Sequence, residues 1–236
     1  MTSIGDRIVE NLARVRMTVA EASARCGRDP EDLQLVCVTK YADPRWIEAL
    51  VECGETELGE SRPQQLEQRA ADFPEHIRWH LVGQLQRNKV RRTLAAASLI
   101  HSVDSLRLLE RIETIATDEG RRPPVLLQVN VSGEASRSGF TTETLRDSWP
   151  RVCELARTDV RGLMTMAQHS EEPDSTRRAF ETLRALAAEL GAIRVEQGGA
   201  PLTELSMGMS NDFEVAIEAG STIVRLGRTL FEGLAT

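Results

Sequence analysis

A chain of 236 residues that is 41% hydrophobic and 28% charged, with 16 Gly and 9 Pro, can enclose a sizeable core and is too poor in Gly and Pro for a collagen-like or disordered protein. Its net charge of -7, with an isoelectric point near 5.3, argues against a protein that coats nucleic acid, because such surfaces concentrate positive charge to displace counterions. No apolar run reaches bilayer-spanning length, so no membrane residence is expected.

The opening stretch is amphipathic and lacks an apolar core and a small-residue cleavage site, which predicts that it stays in the mature chain and that the protein is cytoplasmic. Ile4, Ile8, Val15, Val19 and Ala22 share one face at helical spacing, and Gly27 offers a stop, so a long helix is expected over residues 2–26. Leu33 to Lys40 is a β-rich run after Asp29-Pro30, and Asp43 to Gly54 reads as a helix with Pro at its start and Gly at its end. The alternation recurs with strands near 56–58, 78–83, 99–103, 125–131, 160–164, 203–206 and 222–226, each but the last followed by a helical pattern.

Eight such strands suit parallel pairing through crossover helices, so the expected fold class is α/β: a single (β/α)8 TIM barrel forming one domain over residues 1–236. The opening helix would pack where no helix follows strand eight. A doubly wound open sheet accommodates the same periodicity, but the strand count favours the barrel. The polar stretches 132–142 and 167–175 read as mobile loops.

The cations carry a sharper signal: there are 27 Arg and only two Lys, Lys40 and Lys89. Arg serves as well as Lys on a solvated surface, but its guanidinium stays protonated and cannot form a Schiff base. Each Lys is therefore a candidate for amine chemistry, against the alternative that an Arg-biased composition leaves two by chance. Lys40 follows Leu35-Val-Cys-Val-Thr39 at a strand end, where parallel barrels gather their chemistry and where apolar neighbours would favour the neutral, nucleophilic amine. Lys89 sits at the expected start of a helix, where a solvated charge is the simpler role.

Near the C-terminus, Leu205-Ser-Met-Gly-Met-Ser-Asn-Asp212 joins a strand to the helix expected over 213–219, placing Ser206, Ser210 and exposed amides where an anion would bind. The next strand ends Arg225-Leu-Gly227-Arg228, with a cation at Arg225 and room for close approach at Gly227. Together the two strand ends suit a phosphate, although Ser210 or Asn211 could equally cap the helix. His80 could pack over a planar ligand or be a hydrogen-bonded core residue. Trp46, Trp79 and Trp149 read as packing residues, and Cys26, Cys37, Cys53 and Cys153 as buried free thiols. His76, His101 and His169 form no metal-binding spacing, and no nucleophile elbow, Walker loop or dinucleotide fingerprint is present.

Several blocks carry a resemblance over nearly the whole chain: Val38-Thr-Lys40, Gly59-Glu-Ser61, Trp79-His-Leu-Val-Gly-Gln-Leu-Gln-Arg-Asn-Lys89, His101-Ser-Val-Asp104, Arg161-Gly-Leu-Met164, Leu205-Ser-Met-Gly-Met-Ser210 and Val224-Arg-Leu-Gly227. In these the sequence resembles the YggS/PROSC family of pyridoxal 5′-phosphate (PLP) homeostasis proteins, itself similar to the barrel half of fold-type III PLP enzymes such as alanine racemase. The resemblance implies PLP as cofactor, covalent to Lys40 as a Schiff base. It also implies Ser210 and the Gly227 and Arg228 backbone at the phosphate, and Arg225 near the pyridine nitrogen or phosphate. Ser61, His80 and Ser206 complete the expected cofactor contacts.

The chain departs from the family pattern at Ser61-Arg62, where Asn-Tyr is usual, at Gln84, where Pro is common, and at Arg137, which replaces the Lys of a Lys-Ser-Gly motif. Ser61 reaches less far than Asn, and Arg137 cannot accept PLP as an imine. The resemblance implies a carrier or regulator that holds PLP, with PLP-dependent apo-enzymes as candidate partners, and a monomer is the default expectation. The alternative is a PLP-dependent racemase or related enzyme. A racemase of this fold needs a Tyr base from a further domain, whereas the one Tyr here is Tyr41, beside Lys40. An Arg at the pyridine nitrogen would also weaken the electron sink, so no substantial catalysis is expected.

Overall fold

Ser3 starts the first helix, its hydroxyl accepting from the Asp6 amide while the Asp6 carboxylate accepts from the Ser3 amide, a capping box that leaves two helix-end donors satisfied. From there α1 runs Ile4–Arg25 and buries Ile8, Leu12, Val15, Val19 and Ala22, the apolar face expected from its spacing; Ile4 itself is only half-buried. The computed structural model describes residues 3–132, 138–167 and 173–234. Arg137, His169 and the centres of the two polar loops lie outside the described residues.

Strands and helices then alternate. The strands are β1 (Gln34–Val38), β2 (Glu57–Glu60), β3 (Arg78–Leu81), β4 (Leu99–Val103), β5 (Pro124–Gln128), β6 (Asp159–Met164), β7 (Glu204–Ser206) and β8 (Ile223–Leu226). The helices between them are α2 (Pro44–Glu52), α3 (Pro63–Asp72), α4 (Val90–Ala96), α5 (Leu106–Asp118), α6 (Thr142–Cys153), α7 (Pro173–Glu196) and α8 (Phe213–Glu218). Each strand pairs in parallel with its sequence neighbours, and β8 pairs with β1, so the sheet closes into an eight-stranded barrel rather than the open doubly wound alternative. A 3-10 turn, Arg228–Phe231, follows β8. In place of an eighth crossover helix, α1 packs against α2, α8 and that turn.

The core has two parts, because a barrel strand buries both faces. Most buried apolar residues form one continuous layer between sheet and helices, and Trp46, Trp79 and Trp149 belong to it as packing residues. Inside the barrel a smaller cluster, Val36, Leu99, Leu126, Met164 and Ile223, fills only part of the lumen. The four thiols are free, but only Cys37 is buried; Cys26, Cys53 and Cys153 sit half-exposed at helix ends or the turn after one, where packing is incomplete. Lys89 ends a 3-10 turn leading directly into α4, close to its expected position.

Candidate functional site

At the C-terminal ends of the strands the barrel opens into a cavity of about 900 Å³. Lys40, Ser61, Ser210, Arg225, Gly227 and Arg228 all line it, so six of the eight expected contact residues converge although they come from four strand ends. Of the two lysines only Lys40 reaches this cavity. It is exposed at the rim. The reason is local: β1 ends at Val38 and a turn closed by the Ala42 amide on the Thr39 carbonyl lifts residue 40 above the sheet. Its ammonium lies 5.1 Å from the centre of the Tyr41 ring, within cation–π range.

Two glycines shape the walls. A Cβ on Gly83 would fall 2.2 Å from the Ser61 carbonyl oxygen, so this contact between the β2 and β3 loops exists only because residue 83 lacks a side chain. Gly208 has a φ of +97°, and a Cβ there would meet Ala216 at 2.6 Å. That conformation turns the chain after β7 so that Met209 to Asp212 return to the cavity. Within this turn the Met209 amide donates to Asp212 Oδ1 at 2.6 Å, and the Asp212 and Phe213 amides donate to the Met209 carbonyl. The anticipated set of open helix-end amides is therefore partly spent on the turn itself, and α8 has only six residues. Ser210 is in the wall, and Arg228 is tied at 2.8 Å to Asn211 Oδ1 across the two strand ends.

Arg225 is the buried cation of the site, 5% exposed. Its Nη2 donates to the Thr165 carbonyl at 3.0 Å and its Nη1 to Ser206 Oγ in a short contact. Burial pulls its pKa down to about 10, opposed by the charge of Asp212, so it remains protonated at neutral pH.

His80 and Ser206 do not line the cavity. Both are fully buried in the barrel interior behind Arg225, in a continuous chain of side chains. Ser206 Oγ is 2.7 Å from His101 Nδ1, His101 Nε2 is 2.8 Å from His80 Nδ1, and His80 Nε2 is 2.6 Å from Glu57 Oε2. Arg78 closes the far end at 3.0 Å from Glu57 Oε1. A bond between β4 and β7, which are not neighbours, crosses the lumen, and His80 has the burial and hydrogen bonds of a core histidine. Burial, then the charges of His80 and Arg225, push the His101 pKa well below its ordinary value. Burial raises the Glu57 carboxyl, but hydrogen bonds from His80 and Gln34 with the charges of His80 and Arg78 outweigh it and hold it below the usual range.

Sequence reading also missed Gln128, Asn130 and Met166 in the wall. Gln128 donates to the Ser138 carbonyl at 2.9 Å, and the Asn130 amide donates to Phe140, which fixes the chain leaving β5 across the opening. Polar residues at alternate positions past a strand end, as in Gln128-Val-Asn130, were the available signal.

The family profile described as "Alanine racemase, N-terminal domain" matches residues 11–234. A pyridoxal phosphate homeostasis protein of Aquifex aeolicus is 37% identical over 223 residues, covering 94% of this chain and 96% of its own. One from Escherichia coli K12 is 34% identical over 228 residues, covering 95% of each. The solved structure of PipY from Synechococcus elongatus PCC7942 with PLP bound superimposes with a TM-score of 0.82 at 34% identity, covering 95% of this chain and 99% of that one. An alanine racemase from Clostridium difficile 630, at 15% identity and TM-score 0.73, covers 98% of this chain but 58% of its own and shares the fold.

Proposed function

The chain belongs to the family of pyridoxal phosphate homeostasis proteins, and we propose that it binds pyridoxal 5′-phosphate in the barrel cavity and holds it covalently through Lys40 Nζ. One observation carries this reading: of the two lysines in a chain with 27 Arg, only Lys40 lines the cavity that also contains the buried cation Arg225. The donor set fits the cofactor. A primary amine suits an aldehyde, whereas the hydroxyl of Ser210, the strand end at Gly227-Arg228 and the Arg225 cation suit a dianionic phosphate or a ring nitrogen. When bound, PLP supplies an electrophilic carbonyl carbon to which an amine adds. Lys40, exposed at the rim, is accessible to incoming cofactor without opening the barrel.

The role we assign is holding and delivery of PLP, with one PLP-binding domain over residues 1–236, acting as a cytoplasmic monomer whose partners are PLP-dependent apo-enzymes. Absence of substantial catalysis is favoured by the single Tyr, Tyr41, which is 77% exposed beside Lys40 rather than across the cavity from it. The test is borohydride reduction of the PLP-loaded protein followed by peptide mapping. The label is expected on Lys40, and recovery mainly on Lys89 would refute the assignment. Amino acids added to the loaded protein should not be racemised or decarboxylated; rapid Lys40-dependent turnover would restore the enzyme reading.

A further inference from the structure

The lumen of the barrel contains an uninterrupted polar chain whose two ends have different surroundings. One end is Arg225, in the cavity wall. The other is Glu57, the first residue of β2, whose side chain is 20% exposed and paired with Arg78, the first residue of β3, at the opposite mouth. Ser206, His101 and His80 connect them through successive contacts of 2.6–2.8 Å, all three fully buried. We propose that Glu57, His80, His101 and Ser206 form a positioning relay that holds the Arg225 guanidinium in its cofactor-facing orientation from the far side of the barrel.

The donor inventory gives the relay one direction. Arg225 has no lone pair, so at the Ser206 contact it donates and Ser206 Oγ accepts. The Ser206 hydroxyl proton is then available to His101 Nδ1. With His101 neutral, its Nε2 proton goes to His80 Nδ1, and the His80 Nε2 proton goes to the Glu57 carboxylate. A cationic donor at one end and an anionic acceptor at the other therefore give the Ser206 hydroxyl and each ring nitrogen a partner. Polar chains of this kind orient their members more strongly when every link is made. Removing a link would free the guanidinium to rotate about its side chain, since Ser206 and Thr165 are the two groups that its terminal nitrogens hold. None of the four relay residues lines the cavity, so they act through Arg225 and are not contact residues.

The inference rests on the reading of the cavity as a PLP site, and the experiment separates the two. In cofactor-free protein, the Arg225 side-chain N–H is followed by 15N NMR, its signal assigned by loss in Arg225→Met. Ser206→Ala and Glu57→Leu should speed its hydrogen exchange by at least about tenfold, whereas Glu57→Gln, which keeps an acceptor for His80, should change it less. PLP affinity is then measured in a double-mutant cycle. Ser206→Ala should weaken binding by about tenfold in the native background, and much less when Arg225 is already Met. Unchanged exchange in folded Ser206→Ala and Glu57→Leu proteins, with unchanged affinity in Ser206→Ala, would overturn the relay. An equal loss with and without Arg225 would reassign these residues to folding. If Glu57→Leu fails to fold, Ser206→Ala alone decides. Failure of the native protein to bind PLP, with the exchange differences intact, would refute the cofactor reading and leave the relay standing.

Discussion

Ser210 is the side chain on which discrimination between phosphorylated and unphosphorylated ligand should depend most directly, since it is the serine that the turn after β7 brings to the cavity wall. A hydrogen bond to a charged group contributes about 1.5–3 kcal/mol, so Ser210→Ala should weaken PLP binding by roughly tenfold to a hundredfold. Pyridoxal lacks the phosphate and should lose far less; equal losses in the two titrations would move Ser210 away from the phosphate. His101 supplies a second residue-scale prediction. In the unfolded chain it protonates near its ordinary 6.5, whereas folding holds it neutral to well below that value. Between those limits the unfolded state binds more protons, so stability falls as pH drops from 7 towards 5, at up to roughly 1.4 kcal/mol per pH unit. Glu57, with its depressed carboxyl, contributes stability that is lost only at more acid pH, as the carboxyl protonates below its ordinary 4.5. Urea melts at pH 7, 6 and 5 should therefore show a slope that His101→Gln reduces, and parallel slopes would sink the assignment. The place of Lys40 at the cavity was legible without a structure because composition leaves two lysines and only one of them follows a strand run. The link from His101 to Ser206 was not: the two are 105 positions apart, and only closure of the sheet brings them within 2.7 Å.

At the level of elements, the strands were legible because a parallel strand buried on both faces reads as a short apolar run between turn residues, as in Leu35-Val-Cys37 and Val125-Leu-Leu127. The loops leaving the strands were less so. The turn after β7 reads in sequence as an open helix N-terminus, yet the Met209, Asp212 and Phe213 amides are spent within the turn, whose course follows from the +97° φ of Gly208. Gly208→Ala would place a Cβ against Ala216 in a backbone region that costs about 1–3 kcal/mol for a residue with a side chain. The variant should melt several degrees lower than the native protein. It should also bind PLP more weakly, because Ser210 is carried on the same turn. Retained affinity in a destabilised protein would show that the turn's geometry does not control the cavity.

Over the whole molecule, no crossover helix follows β8 among the described residues, and α1, packed against α2, α8 and the turn after β8, lies where one would. Its apolar face puts Ile8, Leu12, Val15 and Val19 into the layer between sheet and helices. At about 1.5–3 kcal/mol per buried side chain, those four contribute on the order of 6–12 kcal/mol, which is comparable with the roughly 5–15 kcal/mol that keeps a typical domain folded. Deletion of residues 1–25 should therefore leave no cooperative unfolding transition. A milder variant probes the seam itself. Buried Asn11 donates from one amide nitrogen to both the Leu230 and Glu232 carbonyls at 3.0 Å, joining α1 to the turn that ends the barrel. Asn11→Ala leaves the Leu230 carbonyl buried without this donor, which costs about 1–3 kcal/mol, yet it spares the apolar face. It should fold with a lowered melting temperature and bind PLP through an intact cavity, since Asn11 does not line it. A cooperative, native-like melt of the deleted chain would mean that β1 and β8 close the barrel without α1. In that case the helix would be a cover for the barrel rather than part of what closes it.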